Sequence, residues 1–243
     1  MKKVYDKNEL NFALIWIGIY VVLASIGDNV SASIGITKLV TAPICVVLTV
    51  VMYLWIRKYD LKEKYGLCAL KASAGEYLYF LPLVLMATTN IWFGVRLNMT
   101  VLESVLYVVS MLCVGFLEEV IFRGFLFKAL CKDNLKTAII ISSVTFGLGH
   151  IVNLLNGREV VETLLQVCYA VAIGFVFTIV FYKGKSLWPC ILIHSLINSL
   201  SAFANKEGAP EWRGIVGSVF IIVVALGYAA YIMKRTKEEG TSV

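Results

Sequence analysis

Glu118-Glu119-Val120-Ile121-Phe122-Arg123 lies inside an apolar run that extends from about Val101 to Leu130. If that run crosses a membrane, each ionisable group in it costs about 2.5–3.5 kcal/mol on insertion scales. Such groups are kept for function or as a structural ion pair, and the spacing here offers both. Glu119 and Arg123 are four apart, so on a helix they stack on one face and can pair. Glu118 is turned about 100° away from Glu119 on an ideal helix. It lacks that local partner and is the candidate working residue.

The rest of the chain makes the membrane reading necessary. Of 243 residues, 59% are hydrophobic and only 16% charged, well below the 25% or so of soluble domains. Mean hydropathy is +0.82. The fold class expected is all-α, a polytopic membrane protein, and a soluble globular fold is excluded. No Gly-x-Gly-x-x-Gly, P-loop or zinc-finger spacing is present. The net charge of +6 is accounted for by membrane topology, and no nucleic-acid partner is expected. Cys45, Cys68, Cys113, Cys131, Cys168 and Cys190 form no Cys-x-x-Cys pair, and four of them lie in apolar runs. They read as reduced thiols acting as small hydrophobes.

A bilayer core of about 30 Å needs about 20 helical residues. Eight candidate runs fall at 10–26, 37–56, 76–94, 101–130, 136–155, 161–182, 186–204 and 214–233. The first follows a basic start and lacks a small-x-small cleavage site, so it reads as a span that stays. Connections are short, so residues 1–243 are expected to form one integral membrane domain with its core at about 101–204. No internal repeat is visible, which counts against an inverted-repeat transporter. With a cytoplasmic N-terminus, all but Lys38, Arg96, Arg158, Lys206 and Arg213 of the 22 basic residues fall inside. That bias predicts both termini in the cytoplasm. The densest basic cluster, Arg57, Lys58, Lys62, Lys64 and Lys71, reads as topology plus attraction to anionic lipid headgroups.

The chain has two histidines, and both fall in apolar runs, where a histidine normally faces the bundle interior. His150 follows Phe146 by one turn, and Asn198 follows His194 by one turn. A rise of 1.5 Å per residue puts Glu118, His150, His194 and Asn198 roughly 18, 21, 12 and 18 Å above the inner ends of their helices. All four share a band through the middle of the membrane. A carboxylate there can take a proton from water, an imidazole can hold that water, and a second imidazole with an amide can donate to an oxyanion. No serine or cysteine has a clear claim as nucleophile, since Ser195 adjoins His194 and adjacent helical residues do not face each other. Asn153, three residues after His150, is a candidate to orient its imidazole. The alternative is zinc: Glu118, His150 and His194 form a set with an open position. The His-Glu-x-x-His arrangement is absent, however, and a metal-independent reaction with no cofactor is preferred.

Glu118-Glu119-x-x-x-Arg123, Phe146-x-x-x-His150 and His194-x-x-x-Asn198, in that order on successive apolar segments, resemble the CAAX protease and bacteriocin-processing (CPBP, or Abi) family. The likeness spans roughly residues 112–200. It implies an intramembrane endopeptidase with an all-helical core of about eight spans. By that resemblance Glu118 and His150 activate the water, His194 and Asn198 form the oxyanion site, and Glu119, Arg123 and Phe146 are supporting motif residues. The family was long labelled metalloprotease, while its Ras-converting prenyl-endopeptidase branch looks glutamate-dependent. The short chain and loops resemble bacterial members, linked to bacteriocin self-immunity or peptide maturation. The implied location is a bacterial cell membrane, and the implied partners are a peptide or membrane-protein substrate and membrane lipids. A non-catalytic immunity or scaffold protein of the same fold stands as the alternative, with a transporter behind it. Oligomeric state has no signature in the sequence.

Overall fold

The computed structural model describes residues 1–70, 80–205, 207, 210 and 212–240, with side chains as far as Lys234. Lys71, Lys206, the start of the run expected at 76–94, and the side chains of Arg235 and Lys237 lie outside that description.

Among the described residues the secondary structure is helical, apart from one isolated bridge between Val95 and Ala204. After a short helix, Lys2–Lys7, the chain forms α1 (Glu9–Ile34), α2 (Thr41–Lys58), α3 (Leu81–Ile91), α4 (Val101–Leu130), α5 (Leu135–Leu155), α6 (Val160–Gly184), α7 (Trp188–Phe203) and α8 (Trp212–Lys234). Six of these are long and apolar enough to cross a membrane, whereas α3 and α7 are shorter. The sequence predicted about eight spans; among the described residues six have that length, so a count of eight is not confirmed. In α7 the physical reason for the shorter length is visible. A proline stands in its first turn and its last turn tightens to a 3₁₀ helix before extended Ala204. Eight of its residues are buried, and a segment wrapped in protein does not need a full membrane-spanning length.

Local chemistry sets the helix ends. The Asn8 side chain accepts the Asn11 amide to start α1, and Asn134 accepts that of Thr137 to start α5. Thr100 and Glu103 form a reciprocal capping box at α4. The first span runs on past the expected Ile26 to Ile34 and stops at Gly35, whose φ of 82° suits a residue without Cβ. This draws Asp28 into α1, where its carboxylate accepts from Lys38 at 2.7 Å and Thr41 at 2.6 Å. Below, burial alone would lower the Lys64 ammonium. Its hydrogen bonds to Glu9 and Tyr5 outweigh that and raise it. The basic cluster is thus partly tied to the N-terminal segment.

The bundle is built around α4, in which every residue from Val114 to Phe127 is buried. α7 and α2 pack on it, α1 packs on its C-terminal third from Val120 onward, and α6 lies between α5 and α8. Two contacts require glycine. A Cβ on Gly115 would collide with Ser195 Oγ and stand 2.9 Å from the Ser195 backbone nitrogen, so α4 and α7 meet there with only the small Ser195 side chain between them. A Cβ on Gly147 would stand 2.3 Å from Val171 Cγ2, which makes the same close approach between α5 and α6. Gly149 faces open space.

Candidate active site

The charged stretch lies where α4 changes its winding. The helix is α-helical through Glu119, widens to a π-helix over Val120–Phe127, and returns to an α turn at Lys128–Leu130. Such widened turns are rare and occur often at functional sites. Glu118 and Glu119 are the last residues before the widening.

The two glutamates have separate partners, as their helical phase predicts. Glu119 Oε1 accepts from Arg123 at 3.1 Å, and both side chains are fully buried. The same oxygen lies 2.7 Å from His194 Nδ1. A carboxylate can only accept, so Nδ1 carries a proton. This fixes the ring with Nε2 facing the other glutamate, 3.6 Å from Glu118 Oε2, too far for a direct hydrogen bond. Glu118 Oε1 accepts from the Tyr20 hydroxyl at 2.6 Å, while its buried Oε2 accepts no hydrogen bond from the protein.

Phe146 joins the remaining parts. Its ring lies 4.0 Å from the Arg123 guanidinium carbon and meets His150 and His194 edge-on, with centroids 5.6 Å apart in each case. Phe177 flanks the same guanidinium at 5.8 Å. Arg123 Nε and Nη2 make no hydrogen bonds, so aromatic faces supply part of their compensation, about 2 kcal/mol for a desolvated cation over a ring. His150 sits in a 3₁₀ turn, Gly149–Ile151, that interrupts α5.

A cavity of about 110 Å³ opens beside this cluster. Tyr20, Ala24 and Asp28 of α1 form one wall, Gly149, His150 and Asn153 of α5 the other, with Glu118 between them. Asn156 also lines it and accepts from the Asn29 amide of α1 at 3.1 Å. That volume admits a few water molecules, each filling about 30 Å³ in the liquid.

Glu118, Glu119, Arg123, Phe146, His150 and His194 are thus brought together. Asn153 is on the cavity wall, but its amide donates to Gln166 at 2.9 Å and makes no hydrogen bond to His150, contrary to expectation. Asn198 is half-buried one turn beyond His194 and does not line the cavity. Ser195 donates to the Leu112 carbonyl and packs on Gly115, which leaves it no nucleophilic role. Tyr20 is a member of the site that the motifs do not indicate. The signal available was its place well inside a span, because tyrosines in membrane proteins concentrate at the interfaces. Among the described residues no group of three or more His, Cys, Asp or Glu side chains is placed to hold a metal ion. The Glu118–His150–His194 set does not fit a zinc centre as it stands.

Comparison with known proteins points to the same segment. Residues 100–200 match the family described as "Type II CAAX prenyl endopeptidase Rce1-like". The chain is 26% identical over 217 residues to a Bacillus subtilis (strain 168) protein named "Putative membrane peptidase YdiL", covering 80% of this chain and 84% of the relative. No solved structure matches the chain. The resemblance read from the three motifs holds, and all of its motif residues fall within the matched segment.

Proposed function

We propose that this protein, an integral membrane protein whose residues 100–200 match the Rce1-like CAAX prenyl endopeptidases, is a membrane protease that hydrolyses a peptide bond inside the helical bundle. The observation that carries the proposal is the asymmetry of Glu118. One carboxylate oxygen is tethered and the other is free, next to a cavity that His150 also lines.

The residues support a two-step hydrolysis. Glu118 Oε2 takes a proton from water as the water oxygen bonds to the scissile carbonyl carbon, and His150 holds that water from the opposite wall. The carbonyl oxygen becomes an oxyanion. His194 in its doubly protonated form donates Nε2–H to it, holding both protons throughout with Nδ1–H given to Glu119, and the Asn198 amide is the second donor. Collapse breaks the C–N bond, and the proton on Glu118 passes to the leaving amine. Arg123 and Phe146 hold Glu119, and through it the orientation of His194. No metal ion or cofactor takes part in this scheme.

The substrate class is a peptide or a membrane-associated protein. The roles that fit are peptide maturation or bacteriocin self-immunity in a bacterial membrane, with both termini cytoplasmic. The test compares native-host membranes containing wild type with those containing Glu118→Gln, matched for expression, by cataloguing small peptides and new protein termini with mass spectrometry. Products confined to wild type are expected. Identical catalogues from two folded proteins would move the assignment to a non-catalytic immunity or scaffold role.

A further inference from the structure

Tyr20 lies on α1, outside the 100–200 segment that matches the endopeptidase family. We propose that it is a positioning residue of this enzyme, which selects Oε2 of Glu118 as the atom that accepts the proton of water. The proposal rests on the proteolytic reading above.

The two oxygens of a carboxylate are equivalent until one is engaged. Tyr20 engages Oε1 at 2.6 Å, the short distance of a hydroxyl donating to a charged oxygen. Oε2 is left without a protein donor, 3.6 Å from His194 Nε2. An unheld glutamate side chain rotates about its last bond and presents either oxygen. A held one presents the same lone pairs to the cavity at each turnover, and catalysis depends on such near-attack geometry. Tyr20 also forms part of the cavity wall, so one side chain orients the base and bounds the space where water would stand.

A purely structural tyrosine would look different. Buried tyrosine hydroxyls seek a partner, and a backbone carbonyl of a neighbouring helix satisfies that need. Here the hydroxyl reaches a carboxylate 98 positions along the chain. In the reaction it keeps its proton. Oε2 gains the proton of water and later gives it to the amine, while Oε1 remains an acceptor throughout.

The test uses Tyr20→Phe in the full-length protein in lipid nanodiscs. The variant keeps the buried ring and removes only the hydroxyl. Turnover is measured on a fluorescence-quenched peptide built on the cleavage site found in the membrane comparison. The expected result is a kcat lower by roughly 10–100-fold, the loss typical when an orienting partner is removed. KM stays within about twofold, because the lost interaction acts on the chemical step, and the melting midpoint falls only by what one buried hydrogen bond contributes, with the fold retained. A second measurement needs no substrate. The infrared difference between Tyr20→Phe and wild type contains a carboxylate stretching change that vanishes when both carry Glu118→Gln. Wild-type kcat in Tyr20→Phe, absence of the carboxylate band, or parallel loss of fold and turnover each overturns the inference. An active Glu118→Gln would instead overturn the proteolytic reading itself.

Discussion

Replacing Glu119 by Gln, Arg123 by Met, and then both together separates what the buried network does for stability from what it does for chemistry. The two side chains are wholly inaccessible and 3.1 Å apart. Removing one charge strands the other, which costs about 3–5 kcal/mol. In Glu119→Gln the stranded guanidinium keeps the Phe146 ring at 4.0 Å, so the cost falls at the low end, about 3 kcal/mol. In Arg123→Met the glutamate keeps only His194, and the aromatic contact is lost as well, so about 4 kcal/mol is expected. The double variant strands no charge, and the methionine side chain still fills the space against Phe146. A coupling of about 3 kcal/mol, the upper end for groups in direct contact, brings its cost to about 4 rather than about 7 kcal/mol. The assay is reversible unfolding in mixed micelles followed by circular dichroism. Costs that add to within about 0.5 kcal/mol would refute the network. Turnover is not expected to recover with stability, since His194 has lost the carboxylate that orients its ring.

Gly115→Ala introduces a Cβ 2.2 Å from Ser195 Oγ and 2.9 Å from the Ser195 backbone nitrogen. It should cost about 1–3 kcal/mol and lower kcat through displacement of His194, both measurable on one purified sample. Phe146→Leu removes the ring over Arg123 and the edge contacts to both histidines, so a loss of about 2–3 kcal/mol is expected by micelle unfolding. Asn198→Ala should leave the unfolding midpoint alone and reduce turnover by about 10²–10³-fold, the usual loss for one oxyanion donor. Incubation with a strong chelator should leave product formation unchanged, and restoration of a lost activity by added zinc would contradict the metal-independent scheme.

The polar centre was legible in the sequence because ionisable residues in apolar runs are few and helical phase is rigid. The four-residue spacing of Glu119 and Arg123 foretold their contact, and Phe146 lies against His150 for the same reason. The common depth of Glu118, His150 and His194 followed from a constant rise per residue. Less legible was the length of α7, since an apolar run has the same composition whether it faces lipid or protein. Asn153 misled because spacing gives reach without naming a partner, and Gln166 of the adjoining helix offered a carbonyl at 2.9 Å.

By itself the sequence determined a helical membrane bundle and the identity of the ionisable residues that meet inside it. These follow from hydropathy and from periodicity along one helix, which are local quantities. Only the tertiary structure decided that His194 turns Nδ1 to Glu119 and Nε2 to Glu118, that α4 widens at the site, and that Tyr20 holds one oxygen of Glu118. Rotation of each helix about its axis is set by which neighbour it packs against, and that depends on close approaches such as Gly115 on Ser195. A hydrogen bond between residues 98 positions apart exists only after those rotations are fixed.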